Sequence, residues 1–521
     1  MPRQRPQNVQ TQTKQYRKFR GQNNTDSRVA IEDDEFFWIE NAVTVGNGAI
    51  QITPAAASAL VTPGVAPATI WGFTLTKAGT PTAVLIVVHT DGSMSEVNAT
   101  SGATVAIGGA GTVSTAAHLS IFRDGPILII DQTTGYKQWS GGGVLTVVDA
   151  AKTGVGIASF EGRVWIARSA TRTIEFTAPN SSTSFVAGDG AGSTIITDEA
   201  FTGVLRAMVS ALEQLWILGD SAIEAIANVT STGTSPNVVT TFSVTNIVTG
   251  LGSNVGAANA GYFRALTFQS PVGTYALSGV TPQKLSDKLD GMFPALTLGE
   301  SPFAIATVQN LLVLCILVTY TQSMAPQLPT PASGSASATK LLLCFTQGKW
   351  FVSTQGDLVW ITTLIRNGVS EAWGTDGTTI YKLFGGDTDD EVTYKIQSKL
   401  YDNGLATDGK QALRFGFEYQ ATESVEPTIT LDNESASQTA TVETFGNALT
   451  IINGSGVPLT LRNAVNAELL LIAQGLVLVR TRAEMYGRYL GWTVAGDDAP
   501  YRIQAFQMQL AGTGEWDTRS N

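Results

Sequence analysis

Paired carboxylates are the residues of this chain that could do acid–base chemistry. Glycosidases use two Asp or Glu side chains that face each other across the scissile bond. The candidates lie in three short segments: Asp33, Asp34 and Glu35; Asp387, Asp389 and Asp390; and Asp497 and Asp498. Each segment is turn-like, where solvated acids are usual, and adjacent acids cannot face each other as an acid and a nucleophile. We therefore predict no catalytic residues and no enzymatic activity.

Metal and cofactor chemistry has few residues to draw on. The chain holds two histidines, His89 and His118, and two cysteines, Cys315 and Cys344. Two distant histidines and two cysteines in apolar runs do not make a zinc site, and we expect the cysteines to be buried free thiols on paired strands. The segment 385–391 is acidic but lacks the spacing of an EF-hand loop. Glycine-rich stretches at 106–114 and 186–193 lack the lysine of a phosphate loop, so no cofactor is predicted.

The charge of the chain is unevenly distributed. The net charge is −11, yet residues 1–20 contain no acid. The first 20 residues carry six cations: Arg3, Arg5, Lys14, Arg17, Lys18 and Arg20. A basic arm on an acidic body is typical of a segment that touches something acidic. These six residues are therefore the candidate contacts with a partner or a neighbouring subunit, the alternative being a solvated tail.

The elements that position these groups are predicted to be β-strands in a recurring unit. A β-rich run ends in a tight turn and a second β-rich run follows, at residues 83–99, 119–139, 156–176, 204–226 and 358–383. Turns such as Asp91-Gly92, Asp124-Gly125, Asn367-Gly368 and Asp376-Gly377 provide residues that tolerate a positive φ. Repeats of about 40–50 residues are typical of β-propeller blades, and the repeat region would hold about six or seven.

These patterns divide the chain into four parts. Residues 1–20 are an extended basic arm, 21–67 a linker with the first strands, 68–390 the propeller, and 391–521 a C-terminal antiparallel β-sandwich-like domain. Two segments interrupt the propeller: 228–256, read as a long loop or an added hairpin, and 321–339, read as a flexible loop inside a hairpin. The predicted fold class is all-β. The longest apolar run is far shorter than a membrane span.

Two stretches near the N-terminus resemble the opening of tail proteins from short-tailed bacteriophages. The first has the pattern F-R-G-x-N-N-x-D over residues 19–26, and the second has D-x-E-F-x-x-x-E-N over residues 33–41. Residues 162–190 and 487–516 are similar to a blade unit and to the closing strands of the same proteins. The chain thus resembles the nozzle proteins of that family, which form a tail ring beneath the adaptor and portal.

The resemblance implies a structural role and a set of partners. The expected protein is a homo-oligomeric ring, a hexamer, whose axial channel retains genomic DNA and then conducts it during ejection. Its partners would be the head–tail adaptor and portal complex, tail fibres or spikes, and DNA that passes without specific binding. An acidic body suits such a lining because it repels phosphate. The expected location is the virion tail, after synthesis in the host cytoplasm.

Two other classes stay open at this stage. A receptor- or polysaccharide-binding tail protein, with depolymerase activity in some cases, would show exposed Trp and Tyr beside acids. Another virion protein or a cellular propeller scaffold is the third reading. Loops 228–256 and 321–339 are candidates to line or gate the channel, since mobile loops on rigid scaffolds often carry function.

Overall fold

A computed structural model shows an all-β protein, as predicted, with a propeller lobe and a sandwich lobe. It describes residues 11–46, 48–77, 79–123, 125–168, 171–199, 201–253, 258–263, 265–298, 303–332, 334, 338–404, 408–421, 425–441, 451–452, 458–459, 461–462, 468–469 and 477–515. The helices in these ranges are single 3-10 turns at Ala187–Asp189, Asp287–Leu289, Phe293–Ala295 and Gln322–Met324. None of the described helices has the length and apolar character to cross a bilayer.

The strands before the propeller are β1 (Thr11–Tyr16), β2 (Phe36–Glu40), β3 (Ala42–Val45) and β4 (Ala49–Ile52). Blades 1 to 5 are separate four-stranded antiparallel sheets. Blade 1 contains β5 (Pro67–Lys77), β6 (Thr80–His89), β7 (Met94–Asn98) and β8 (Thr104–Gly108). Blade 2 contains β9 (His118–Ile121), β10 (Ile127–Ile130), β11 (Tyr136–Trp139) and β12 (Thr146–Asp149). Blade 3 contains β13 (Gly156–Phe160), β14 (Arg163–Ala167), β15 (Thr173–Phe176) and β16 (Gly192–Ile195).

Blade 4 contains β17 (Leu205–Ala211), β18 (Gln214–Gly219), β19 (Ala222–Thr232) and β20 (Val239–Thr249). Blade 5 contains β21 (Ala258–Tyr262), β22 (Ala265–Ser270), β23 (Gly273–Ser278) and β24 (Thr281–Lys284), and the short β25 (Leu296–Thr297) follows. Blade 6 contains β26 (Phe303–Val308), β27 (Leu311–Tyr320), β28 (Thr339–Thr346) and β29 (Lys349–Ser353). Blade 7 contains β30 (Trp360–Arg366), β31 (Val369–Thr375) and β32 (Ile380–Lys382).

The units follow one another around a ring through their first strands. β13 contacts both β9 and β17, β21 contacts β17 and β26, and β30 contacts β26 and β5. In the described chain, six blades are sheets of their own, whereas blade 6 is shared with the ten-stranded sheet of the second lobe. Second strands such as Ile127–Ile130 and Arg163–Ala167 are buried at every position, because neighbouring blades cover both of their faces.

Residues that precede blade 1 close the last blade. The backbone N–H of Leu60 donates to Ile380 O at 2.8 Å, and the N–H of Ile380 donates to Val61 O at 3.0 Å. Residues 57–61 therefore supply the outer strand of blade 7. The ring is thus fastened by backbone hydrogen bonds between its two ends.

The second lobe is a sandwich of two antiparallel sheets. Its strands include β33 (Val392–Ser398), β34 (Asp408–Gln420), β35 (Thr428–Asp432), β36 (Ser437–Thr441), β41 (Val477–Gly487), β42 (Gly491–Asp498) and β43 (Arg502–Glu515). The same part of the sequence also contains two separate two-stranded sheets, β37 (Ile451–Ile452) with β38 (Pro458–Leu459) and β39 (Leu461–Arg462) with β40 (Glu468–Leu469). One sheet has the order β3-β4-β43-β34-β41, with β1 also paired to β43. The other continues blade 6 in the order β29-β2-β33-β42-β35-β36.

Residues 36–52, within the segment predicted as a linker with the first strands, belong to this sandwich. β2 pairs with β33 on one side and, in parallel, with β29 of blade 6 on the other. β3 and β4 extend the sheet built by β43. One apolar core consequently joins N-terminal, blade 6 and C-terminal residues, including Phe36, Cys315 and Trp492. Residues 36–52 are distant in sequence from 391–515, so no local pattern indicated this pairing.

Several local predictions can be compared with the structure. Residues 228–256 contribute to an added hairpin, β19–β20, and residues 321–339 connect β27 to β28 inside a hairpin. Gly92, Gly368 and Gly377 have φ of 77°, 77° and 85°, as their turns require. Gly125 does not have a positive φ, whereas Arg123 has φ 55° in the same hairpin, and Asp124 lies outside the described residues.

Candidate functional site

The basic N-terminal arm forms an edge strand on the sandwich. β1 pairs antiparallel with β43, from Thr11 opposite Ala511 to Tyr16 opposite Phe506. Most side chains of β1 are exposed, whereas Phe506 of β43 is fully buried. Tyr16 is the main anchor, since its ring lies 4.3 Å from that of Tyr401. The arm therefore extends a sheet while adding little to the core.

The structure places four of the six predicted contact cations; Arg3 and Arg5 lie outside the described residues. Arg17 Nη2 is 3.0 Å from Glu418 Oε2, and Arg20 Nε is 2.7 Å from Asp34 Oδ2. Both guanidinium groups are more than half exposed, at 55% and 63%. Lys14 stands opposite Met508 in β43, and Lys18 has a left-handed φ of 66°. Arg17 and Arg20 therefore meet acids of their own chain, and the contact of all six cations with another subunit stays a prediction.

Residues 19–24 form an anchor directly after the arm. Phe19 is buried, with its ring 4.7 Å from Phe36. Gly21 has φ 113°, and a Cβ there would lie 3.0 Å from Trp350 O of blade 6, so only glycine suits both the conformation and the space. The Asn24 backbone N–H donates to Lys288 O at 2.6 Å, which ties the segment to the connection between blades 5 and 6. The first motif thus fastens the sandwich to the propeller.

The acidic residues of the second motif are paired one by one. Asp33 Oδ1 accepts from Lys399 Nζ at 2.8 Å, and Glu35 Oε1 accepts from Lys288 Nζ at 2.6 Å. Burial raises the pKa of Glu35, but hydrogen bonds from Lys288 and Asn23 outweigh it, so the net pKa lies below the ordinary value. Together with Asp34, which pairs with Arg20, these three acids have structural partners instead of facing one another.

Glu40 is the most deeply buried acid of the second motif. Its Oε2 accepts from Trp38 Nε1 at 3.0 Å and from the Ala332 backbone N–H at 2.8 Å. Burial raises the pKa of Glu40, and the hydrogen bonds together with Lys395 offset this only in part. Lys395 Nζ in turn donates to Thr330 O at 2.9 Å. A glutamate and a lysine between the lobes therefore hold the loop 321–339 by its backbone.

The other predicted acids are also tied locally. Asp498 is buried and accepts from Tyr394 Oη at 2.8 Å, while Asp497 accepts from Thr393 Oγ1 at 3.1 Å. Asp390 accepts from the backbone of Asp387 at 2.7 Å within an exposed turn. In the described ranges no group of three His, Cys, Asp or Glu is arranged to hold a metal ion.

The histidines and cysteines of the sequence analysis are spread over the fold. His89 is buried, with Nδ1 2.9 Å from Val65 O and Nε2 2.8 Å from Ser95 Oγ. Cys315 and Cys344 stand directly opposite each other on β27 and β28 as buried free thiols, as predicted. Burial raises the pKa of the Cys344 thiol, which keeps it protonated and unreactive.

The propeller axis contains a cavity of about 430 Å³. The first strands of six blades line it, and Trp71 and Trp360 contribute aromatic rings 5.7 Å apart. His118 also faces it, and burial lowers the pKa of this imidazole to about 4. A space of this size is typical of a pocket for a small molecule. A cavity of this volume cannot hold duplex DNA, since a duplex is wider than its own major groove of about 12 Å.

The two loop segments lie away from this axis. The β19–β20 hairpin folds over blade 3, where the Val238 N–H donates to Gly188 O at 3.0 Å and Ser235 Oγ donates to Asp189 at 2.7 Å. Loop 321–339 borders a groove of about 720 Å³ between blades 6 and 7 and the sandwich. No described residue of either segment lines the axial cavity, so a gating role would concern a channel between subunits.

Arg163 and Glu224 are among the buried charged residues that no sequence pattern indicated. Arg163 is buried in blade 3, where its Nη atoms donate to Gly190 O at 2.8 Å and to Thr240 Oγ1 at 2.7 Å. Glu224 is buried in blade 4, where burial and the charge of Asp198 raise its pKa to about 7. Each lies in a strand of ordinary composition, so no local signal distinguishes it.

Comparison with known proteins adds no relative. No protein-family model matches the chain, and no curated protein matches it either.

Proposed function

We propose that this chain is a structural tail protein of a short-tailed bacteriophage, a nozzle subunit. Copies would form a ring, a hexamer by the resemblance, on the adaptor and portal complex, with fibres or spikes attached. The ring would retain genomic DNA in the head and then conduct it during ejection. The protein would be synthesised in the host cytoplasm and would reside in the virion tail.

One observation carries the proposal: the residues of the resemblance converge on a single junction. Phe19, Gly21 and Asn24 contact blade 6 or the strands beside it, and Glu35 and Glu40 lie in the same region. Two motifs separated by six residues thus share one architectural task, which is to join the propeller to the sandwich. A subunit that transmits force between a head and a tail requires such a joint between its lobes.

The size of the axial cavity supports a channel built from several copies. Since about 430 Å³ is too small for a duplex, DNA would pass along the axis of the ring of subunits instead of through one propeller. A ring requires a heterologous interface whose rotation closes. The acidic body, with 43 acidic side chains against 32 basic ones over the whole chain, suits a lining that does not hold phosphate.

Electron microscopy of the purified chain, alone and mixed with the adaptor–portal complex of its virion, tests the proposal. A six-fold ring with an axial channel wide enough for a duplex is the expected result. A monomer or trimer that does not bind the adaptor would overturn it and favour a spike or fibre.

The alternative, a polysaccharide-binding tail protein, has one supporting feature. Of the described tryptophans, those of strands β2, β11, β14, β18, β29, β31 and β42 are buried, while Trp71 and Trp360 line the axial cavity. Among the tryptophans that the structure describes, a sugar could stack only on that pair. Incubation with host capsular polysaccharide, followed by analysis for released oligosaccharides, distinguishes the two readings.

A further inference from the structure

The N-terminal strand is held in a way that allows it to be exchanged between copies of the chain. Its six residues pair with β43 through backbone hydrogen bonds. Thr11, Thr13 and Gln15, which alternate along one face, are exposed. Tyr16 supplies the ring contact with Tyr401, and its hydroxyl donates to Asn403 at 2.7 Å. The identical β43 of a second copy, together with that copy's Tyr401 and Asn403, offers all of these contacts.

A hinge separates this strand from the anchor. Phe19 is buried with 2% exposure and fixes the chain from that point onward. Between Tyr16 and Phe19, Lys18 has φ 66°, a left-handed conformation that costs a non-glycine residue energy. The close pass of residue 18 beside Gly48 accompanies this turn, since a Cβ on Gly48 would overlap Lys18 Cα. An arm that ran straight outward would release Lys18 from the left-handed region.

The hinge is short, so the exchange requires a neighbouring copy beside this edge of the sandwich. Arg17 and Lys18 join Tyr16 to the buried Phe19, and three steps of extended chain span about 10 Å. The charge pattern favours contact of the arm with another copy, because residues 1–20 hold six cations and no acid, while the rest of the chain is acidic. Glu418 lies beside β43, where it accepts from Arg17 Nη2 at 3.0 Å and from Gln507 Nε2 at 2.7 Å.

We propose that in the assembled ring β1 leaves its own β43 and pairs with β43 of the next copy, where Arg17 meets that copy's Glu418. This inference rests on the proposed ring. Each copy donates one strand and receives one, so the contacts are conserved and a head-to-tail arrangement can close. The exchange would make the arm a mechanical link between subunits without a new interface of its own.

Cysteine pairs in the register of the strands test the exchange. Gln15 stands opposite Gln507, and both side chains donate to Glu418, so they lie on one face. One chain carries Gln15→Cys and a second carries Gln507→Cys; the two are mixed, allowed to assemble and oxidised. The native cysteines are buried and do not interfere. Exchange predicts a disulfide-linked dimer on a non-reducing gel in up to half of the mixed neighbours, because only a Gln15→Cys chain that donates its strand to a Gln507→Cys chain brings the two cysteines together.

Two controls make the result specific. A chain with both substitutions reports whether the pair can form a disulfide at all. Chains with Thr430→Cys and Thr439→Cys, which are register partners on the β35–β36 hairpin, should give no dimer when mixed, because that hairpin has no hinge.

The outcomes separate the exchange from the ring. A ring by microscopy with a disulfide only inside the double variant overturns the exchange and leaves the proposed function intact. A chain that stays monomeric alone and with the adaptor–portal complex overturns the ring, and the exchange with it. A linked dimer at the level of the Thr430/Thr439 control also counts against exchange.

Discussion

The first 41 residues contain two regions that attach to the body in opposite ways. Residues 11–17 lie along the edge of the sandwich, where backbone pairing and one exposed ion pair to Glu418 hold them. Residues 19–41 lie between the two lobes, where Phe19, Phe36 and Glu40 are buried. Both regions are polar and charged in sequence. A charge at the exposed edge is available for assembly, whereas a charge between the lobes contributes to stability. The position of a charge, rather than its presence, therefore decides its role.

The two regions differ in energy because water reaches the charges of the arm and is excluded from Glu40. An exposed ion pair such as Arg17–Glu418 is screened and contributes little. Glu40 has lost its water, so its hydrogen bonds to Trp38 and Ala332 must replace that hydration. Four experiments test whether the arm and the anchor differ in this way.

Truncation of Phe19 should have the largest effect. Phe19→Ala removes a buried ring that contacts Phe36 and Phe506, and the free energy of unfolding should fall by about 3–5 kcal/mol. Denaturant unfolding followed by tryptophan fluorescence measures it. Thr13→Ala, in the exposed arm, is the matched control and should change stability by less than about 0.5 kcal/mol. Equal effects of the two substitutions would remove the distinction between arm and anchor.

Removal of the Glu40 carboxylate should have the next largest effect. Glu40→Ala leaves the Trp38 and Ala332 donors without their acceptor, at a cost of about 1–3 kcal/mol. Glu40→Gln keeps an oxygen in that place and should be much better tolerated. Limited proteolysis of loop 321–339 is a second measurement, since that loop is held through Ala332. An alanine variant as stable as the glutamine variant would show that these hydrogen bonds contribute nothing.

The pH dependence of stability should change at Glu40 in a defined direction. Because its pKa in the folded state is raised, this carboxyl favours folding below its unfolded pKa of about 4.3. That contribution is lost as the pH rises through the raised folded value. Glu40→Gln should therefore flatten the fall in stability above about pH 4.3, as measured by thermal unfolding across a pH series. A steeper fall in the variant would contradict the assignment.

Removal of the Glu418 charge should have the smallest effect on stability. Glu418→Gln breaks an ion pair whose arginine is 55% exposed, so the free energy of unfolding should change by less than about 1 kcal/mol. The arm should nevertheless be cleaved faster by trypsin at Arg17, while the anchor stays protected. An unchanged cleavage rate would show that backbone pairing alone holds β1. A deletion of residues 2–16 is the matching truncation, since it spares Phe19.

The structure also sets limits on what local patterns could predict. The paired strands of Cys315 and Cys344, the turns at Gly92, Gly368 and Gly377, and the all-β class follow from short-range alternation and φ requirements. The place of residues 36–52 in the sandwich does not follow from local patterns, because β2 pairs with strands more than 300 residues away in sequence. Arg163 and Glu224 were missed for a related reason: their burial depends on neighbouring blades and not on their own strands.

Local sequence patterns and composition are sufficient to predict the period of the blades, the tight turns, the free thiols and the separation of a basic arm from an acidic body. Each of these depends on residues close together in the chain or on composition alone. Three features are visible only in the folded chain: residues 57–61 close the ring, residues 19–41 join the lobes, and β1 lies on β43. These contacts link distant segments through backbone groups and buried charges, whose partners no local pattern specifies.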